Sequence, residues 1–115
     1  MDSPTFNSMI KNLRGEIEGL AKLTVRKYRR KAARDGKKML TVMKTDLRRW
    51  SNLLEEDKLT TEDFEFLVLA QKDAIQMSAL ERSGLAKIRA NHFKFSVFNL
   101  IIDTVFDTVL PAIPD

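Results

Sequence analysis

Segment 59–64, which reads LTTEDF, constrains the fold most because it combines several helix-start signals near the middle of the chain. Thr60 is the predicted N-cap, and Asp63 stands three residues later, where a capping box places its acidic partner. Leu59 and Phe64 occupy the two positions of a hydrophobic staple. Acidic side chains in the first turn also oppose the positive end of the helix dipole. A helix is therefore predicted to begin at this segment.

Long helical patterns flank this start signal on both sides. In the first arm, residues 4–56, apolar side chains recur at spacings of four and three residues over 6–20 and again over 39–54, with a small and polar interval between them, which is the heptad pattern of a packed helix. These positions are Phe6, Ile10, Leu13, Ile17, Leu20, Met39, Met43, Leu47, Trp50 and Leu54. The second arm, residues 61–110, ends in a stretch from 93 to 110 that is apolar around most of a helix. No proline interrupts either arm, and Pro111 is predicted to end the second helix.

The two arms predict an all-α single domain over residues 1–115 in which two long helices form an antiparallel hairpin with its turn near 55–60. The 93–110 stretch has more apolar surface than one facing helix can cover, so the hairpin is predicted to dimerise into a four-helix bundle. The alternative is a compact bundle of three or four shorter helices, with breaks near Gly36 and Gly84, because glycine lowers helix stability.

The predicted oligomer interface lies on the last part of the second arm. Its residues are Phe93, Val97, Phe98, Ile101, Val105 and Phe106. The hairpin register also places Gly15 and Gly19 of the first arm opposite residues 97–101, so that small residues face large ones.

Charge is strongly segregated along the chain, although the net charge is only +4. Residues 22–38 contain nine basic residues and one acidic residue, a net charge of +8, whereas residues 55–65 contain six acidic residues and one basic residue, a net charge of −5. In the hairpin, residues 82–94 would join the first block in a basic belt. The predicted anion-binding residues of this belt are Arg26, Lys27, Arg29, Arg30, Arg34, Lys37, Lys38 and Arg89. The other interpretation is a solvated or intersubunit surface.

Residue types that carry chemistry are scarce. The chain has no cysteine, which excludes disulfides and zinc–thiolate sites. With a single histidine, His92, beside Phe93, the sequence gives no argument for a Ser/His/Asp set. No catalytic, cofactor-binding or metal-binding residues are predicted, and we expect a protein that is not an enzyme. No signal peptide is recognisable, and the uncharged apolar stretch 95–102 is shorter than the about 20 residues of a membrane span, so we expect a cytoplasmic protein without a transmembrane segment.

The sequence therefore favours a helical assembly or adaptor protein that acts through homo-oligomerisation, with a dimer favoured, and through partner binding. The alternative is a peripheral polyanion binder whose partner is an acidic protein, the nucleic-acid backbone or an anionic lipid. Tyr28 is the one aromatic residue within the block 22–38, so base stacking has little support and nucleic-acid binding would be insensitive to base sequence.

Overall fold

Three long helices and two short ones make up residues 1–110, the part of the chain that the computed structural model describes. The helices are α1 (Ser3–Thr24), α2 (Arg29–Glu55), α3 (Thr61–Leu69), α4 (Ser78–Arg82) and α5 (Lys87–Val109). Short 3-10 helices span Arg26–Tyr28 and Ala70–Asp73, and residues 1–110 contain no strand. The predicted stop at Pro111 lies outside the described residues.

The prediction of one continuous helix over residues 4–56 is wrong, because the chain reverses direction between α1 and α2. Lys37 of α2 forms an ion pair with Glu18 of α1. Arg48 of α2 donates a hydrogen bond of 2.6 Å to the Ser3 hydroxyl. The two helices are therefore antiparallel, and the fold-back lets each bury its apolar face against the other. A single straight helix would leave most of these faces exposed.

The alternative prediction of a compact bundle agrees with the structure, which measures 44 × 29 × 24 Å. The predicted break near Gly84 is confirmed. Gly84 lies between α4 and α5 with a φ of +91°, a left-handed conformation that glycine adopts without steric cost. The predicted break near Gly36 is wrong, because Gly36 is buried inside α2.

The predicted helix start at Thr60 is confirmed. Thr60 has an extended backbone, and its hydroxyl accepts a hydrogen bond of 3.0 Å from the Asp63 amide. The preceding turn contains Asp57, whose φ is +58°. This turn separates α2 from α3, as the sequence predicts for residues 55–60.

Helix α5 lies at the centre of the fold and packs against all four other helices. The Glu16 carboxylate of α1 accepts a hydrogen bond of 3.4 Å from the Thr104 hydroxyl of α5. Together with the cavity lined by Thr24 and Arg89, this contact shows that α1 and α5 are antiparallel. Since α1 is antiparallel to both α2 and α5, those two helices run parallel and begin at the same end of the bundle.

The three long helices come into close contact at Gly36. A Cβ atom at this position would stand 2.6 Å from Cγ2 of Ile17 and 3.6 Å from the ring of Phe93, so a side chain here would force Ile17 to shift. At Gly15 and Gly19 the same added atom would have no neighbour within 4 Å. These two glycines are exposed, and the predicted packing of them against residues 97–101 is wrong.

The buried carboxylate of Asp35 joins α2 to the start of α4. Asp35 is 4% exposed and accepts hydrogen bonds from the amides of Ala79, at 3.1 Å, and Leu80, at 2.8 Å. It therefore acts as a helix cap that comes from a distant part of the chain, and it satisfies backbone donors that α4 leaves free.

The buried ammonium group of Lys94 holds the other side of the same connecting segment. Lys94 is 8% exposed and donates to the carbonyl oxygens of Lys72, at 2.6 Å, and Ile75, at 2.8 Å. Neither Lys94 nor Asp35 forms an ion pair within residues 1–110, so each buried charge is stabilised by backbone groups alone.

We predict that Gly36→Ala destabilises the fold by about 1–3 kcal/mol, because the new methyl group displaces the stiff β-branched side chain of Ile17. Gly15→Ala is the matched control and should raise the free energy of unfolding by up to about 1 kcal/mol through helix propensity. Urea unfolding of both variants measures the difference. Equal effects of the two changes would contradict the close approach at Gly36.

We predict that Asp35→Ala lowers the free energy of unfolding by roughly 1–3 kcal/mol, because two buried amides lose their acceptor. Asp35→Asn keeps one acceptor oxygen and should recover part of the loss. Asp46→Ala removes a carboxylate that pairs with Arg49 at the surface and should cost about 0.5 kcal/mol or less. Thermal unfolding measures all three variants, and an equal loss in the two alanine variants would rule out the capping role.

Candidate functional site

One end of the bundle gathers the end of α1 and the beginnings of α2 and α5. The Arg26–Tyr28 turn joins α1 directly to α2. A cavity of about 70 Å³ separates Thr24 and Val25 from the first turns of α5, where Arg89 forms part of its wall. Residues far apart in the chain therefore meet here.

The eight basic side chains at this end form what we term the basic end. They are Lys22, Arg26, Lys27, Arg29, Arg30, Lys31, Lys87 and Arg89, and all eight are exposed. The two stretches that supply them, 22–31 and 86–92, contain no acidic residue. The basic end therefore concentrates positive charge without a compensating carboxylate in its own segments.

Two carboxylates close to the basic end have other partners. Asp35 is the one acidic residue of the block 22–38, and its carboxylate points inward to cap α4. Glu18 of α1 pairs with Lys37. Within residues 1–110, no carboxylate forms an ion pair with a residue of the basic end.

The helix dipoles add to the same positive potential. Both α2 and α5 begin at the basic end without a side-chain cap and without an acidic residue in the first turn. Arg29, Arg30 and Lys87 stand there instead. A cation at a helix N-terminus is unfavourable by about 0.3–1 kcal/mol, because the free N–H groups already carry positive charge. An anion bound at this end would relieve both effects.

The structure brings together five of the eight predicted anion-binding residues, at one end of the bundle rather than in a belt around its middle. These five are Arg26, Lys27, Arg29, Arg30 and Arg89. Arg34 and Lys38 are exposed further along α2, and Lys37 is engaged with Glu18. Lys94 of the predicted belt is buried.

Three members of the basic end, Lys22, Lys31 and Lys87, are missing from the predicted site. Their positions within the same acid-free stretches are the signal that could have identified them.

The residues predicted as an oligomer interface belong to the core of a single chain. Phe93, Val97, Phe98, Ile101 and Val105 are fully buried in it. Phe106 is half-buried, and its ring centroid lies 5.6 Å from that of Phe64 in α3. The assignment of these residues to an exposed interface is therefore corrected. The reason is that the fold-back at residues 25–28 brings enough helices together to cover α5 within one chain.

Two aliphatic side chains near the basic end lie outside the core and are exposed to solvent. Leu23 is 85% exposed in the last turn of α1, and Ile88 is 79% exposed in the first turn of α5. Neither residue belongs to a site predicted from the sequence. Their basic neighbours, Lys22 beside Leu23 and Lys87 and Arg89 beside Ile88, are the available sequence signal.

No group of three or more histidine, aspartate or glutamate side chains in residues 1–110 is arranged to hold a metal ion. None of the helices in this range combines the length and the apolar character needed to cross a membrane. Comparison of the chain with protein families, with curated proteins and with solved structures finds no match.

We predict that Lys87→Glu raises the free energy of unfolding by about 0.5 kcal/mol at low ionic strength, because the carboxylate opposes the dipole of α5 and the surrounding positive charge. Lys87→Gln should give a smaller gain. Lys11→Glu makes the same change of charge in the middle of α1 and serves as the control. A gain at Lys11 equal to that at Lys87 would show that net charge, rather than the helix terminus, is responsible.

Proposed function

We propose that the protein is a non-enzymatic binding protein that docks onto a polyanionic partner through the basic end. The observation that carries the proposal is the presence of eight exposed basic side chains at the end where α2 and α5 begin, in two stretches that contain no acidic residue. Such a concentration of like charge is unfavourable in the free protein, and anionic oxygen atoms would stabilise it.

The opposite end of the molecule has the opposite charge. The acidic turn at residues 55–65 and the side chains of Asp103 and Asp107 lie towards this end, where Phe64 packs against Phe106. This polarity along the long axis would orient the protein as it approaches an anionic surface, with the basic end first.

Recognition at the basic end would depend on charge rather than on base sequence. Tyr28 is the one Phe, Tyr or Trp residue of the stretches 22–31 and 86–92, and it is half-buried. Stacking on bases therefore has little support. Lysine and arginine side chains bind phosphate and other anionic oxygens by charge-assisted hydrogen bonds, so phosphate-bearing partners suit the site.

Homo-oligomerisation stays a prediction, but the apolar surface of residues 93–110 now gives weaker support for it. Most of the apolar surface of residues 93–105 is covered within one chain, with Phe95 (39% exposed) as the exception, so it no longer requires a partner. Light scattering behind size exclusion decides the question directly. A monomeric mass at micromolar concentration would contradict the predicted dimer and leave polyanion binding as the proposed activity.

We predict that the combined change of Arg26, Arg30 and Lys87 to glutamate strongly weakens binding to single-stranded DNA and to vesicles containing phosphatidylserine at low salt. For DNA, loss of three phosphate contacts should make the dependence of log K on log salt concentration shallower by about 2, at roughly 0.7 per contact. Fluorescence anisotropy and vesicle co-sedimentation are the measurements.

The matched control changes Lys11, Arg14 and Lys44 to glutamate. These side chains are exposed along α1 and α2 but lie outside the basic end. The control variant has the same net charge as the basic-end variant, and circular dichroism should show that both are folded. Equal loss of binding in the two variants, or no binding of the parent protein to either probe at low salt, would overturn the proposed function.

A further inference from the structure

Leu23 and Ile88 lie at the same end of the bundle, one on α1 and the other on α5. The residues that follow them, Thr24 and Arg89, line one small cavity between the two helices. This end therefore presents two aliphatic side chains among the cations of the basic end.

Both aliphatic side chains project away from the core. The buried positions of their helices at this level are Ala21 on α1 and Ala90 and Phe93 on α5. Neither Leu23 nor Ile88 falls on those buried faces, since two residues along a helix correspond to a rotation of about 200°. Their exposed fractions, 85% and 79%, exceed those of the other large exposed hydrophobic residues, which include Phe66 at 72% and Val42 at 62%.

We infer that the polyanionic partner of the basic end is the surface of an anionic phospholipid bilayer, and that Leu23 and Ile88 enter its interfacial region. The inference rests on the proposed function, because the basic end supplies the electrostatic attraction. Basic side chains that bind lipid headgroups, together with aliphatic side chains that reach below the phosphates, are typical of proteins that lie on a membrane.

A bilayer matches the observed chemistry better than a nucleic acid does. A nucleic-acid backbone offers phosphates to the cations but no apolar layer to Leu23 and Ile88. A bilayer offers both, with phosphates outside and acyl chains beneath them. Each lysine or arginine close to an anionic bilayer adds to the attraction, and the basic end has eight.

The charge polarity of the molecule supports docking by this end. The acidic turn at residues 55–65 lies at the far end of a molecule that is 44 Å long. This distance is several Debye lengths at physiological salt, so the acidic residues are little affected by the bilayer when the basic end is bound. Sideways docking would bring them closer to the lipid phosphates.

The first test separates the aliphatic contribution from the charge. The double variant Leu23→Ser, Ile88→Ser keeps every basic residue, and we expect its affinity for phosphatidylserine-containing vesicles to fall by about tenfold or more, which corresponds to about 1.4 kcal/mol. The control variant Val42→Ser, Phe66→Ser removes two exposed hydrophobic residues elsewhere and should bind as the parent protein does. Affinity for single-stranded DNA should be the same in all three proteins.

The outcomes distinguish this inference from the proposed function. If the serine double variant binds vesicles as tightly as the parent protein, the bilayer inference is overturned, although charge-based polyanion binding stands. If the parent protein binds DNA but not vesicles, the partner is a nucleic acid. Failure to bind either probe at low salt removes the proposed function as well.

A second test locates the two side chains directly. Because the chain has no cysteine, Leu23→Cys, Ile88→Cys and Val42→Cys can each carry one environment-sensitive fluorophore at a unique site. Addition of phosphatidylserine-containing vesicles should shift the emission of the first two labels to the blue and expose them to quenching by spin-labelled acyl chains. The label at position 42 should not respond. A response at position 42 alone, or equal responses at all three positions, would contradict docking by the basic end.

Discussion

Close packing of α1, α2 and α5 around Gly36 is the contact on which the arrangement of the long helices depends. Ile17 and Phe93 occupy the space that a side chain at position 36 would need. This approach requires the chain to fold back after α1, and it sets α2 and α5 parallel at a short distance. The parallel arrangement in turn places both helix N-termini at one end of the bundle. The location of the basic end therefore follows from how the core is packed.

The buried charges link the core to the surface chemistry. Asp35 caps α4, and Lys94 binds carbonyl oxygens of the segment before α4, so the connection between α3 and α5 is held from two sides. The inward position of Asp35 has a second effect, because it removes from the surface the one carboxylate of the block 22–38. The carboxylate that stabilises the fold is thereby unavailable to the neighbouring cations.

The basic end combines several features that reduce stability. Cations stand where helix dipoles favour anions. In addition, Leu23 and Ile88 are exposed, so the fold lacks the roughly 1.5–3 kcal/mol that burial of each side chain would contribute. Unfavourable groups that cluster in one place are characteristic of binding sites, where the partner supplies the missing interactions.

Local sequence signals were sufficient for the helical class, the cap at Thr60, the break at Gly84 and the segregation of charge, because each depends on residues that are close together in the chain. The reversal at residues 25–28 and the inward positions of Asp35 and Lys94 depend on contacts between distant segments. A heptad pattern is the same whether its partner helix belongs to the same chain or to a second copy. Burial of Phe93, Val97, Phe98, Ile101 and Val105 within one chain, and the exposure of Leu23 and Ile88, therefore depend on how the helices pack.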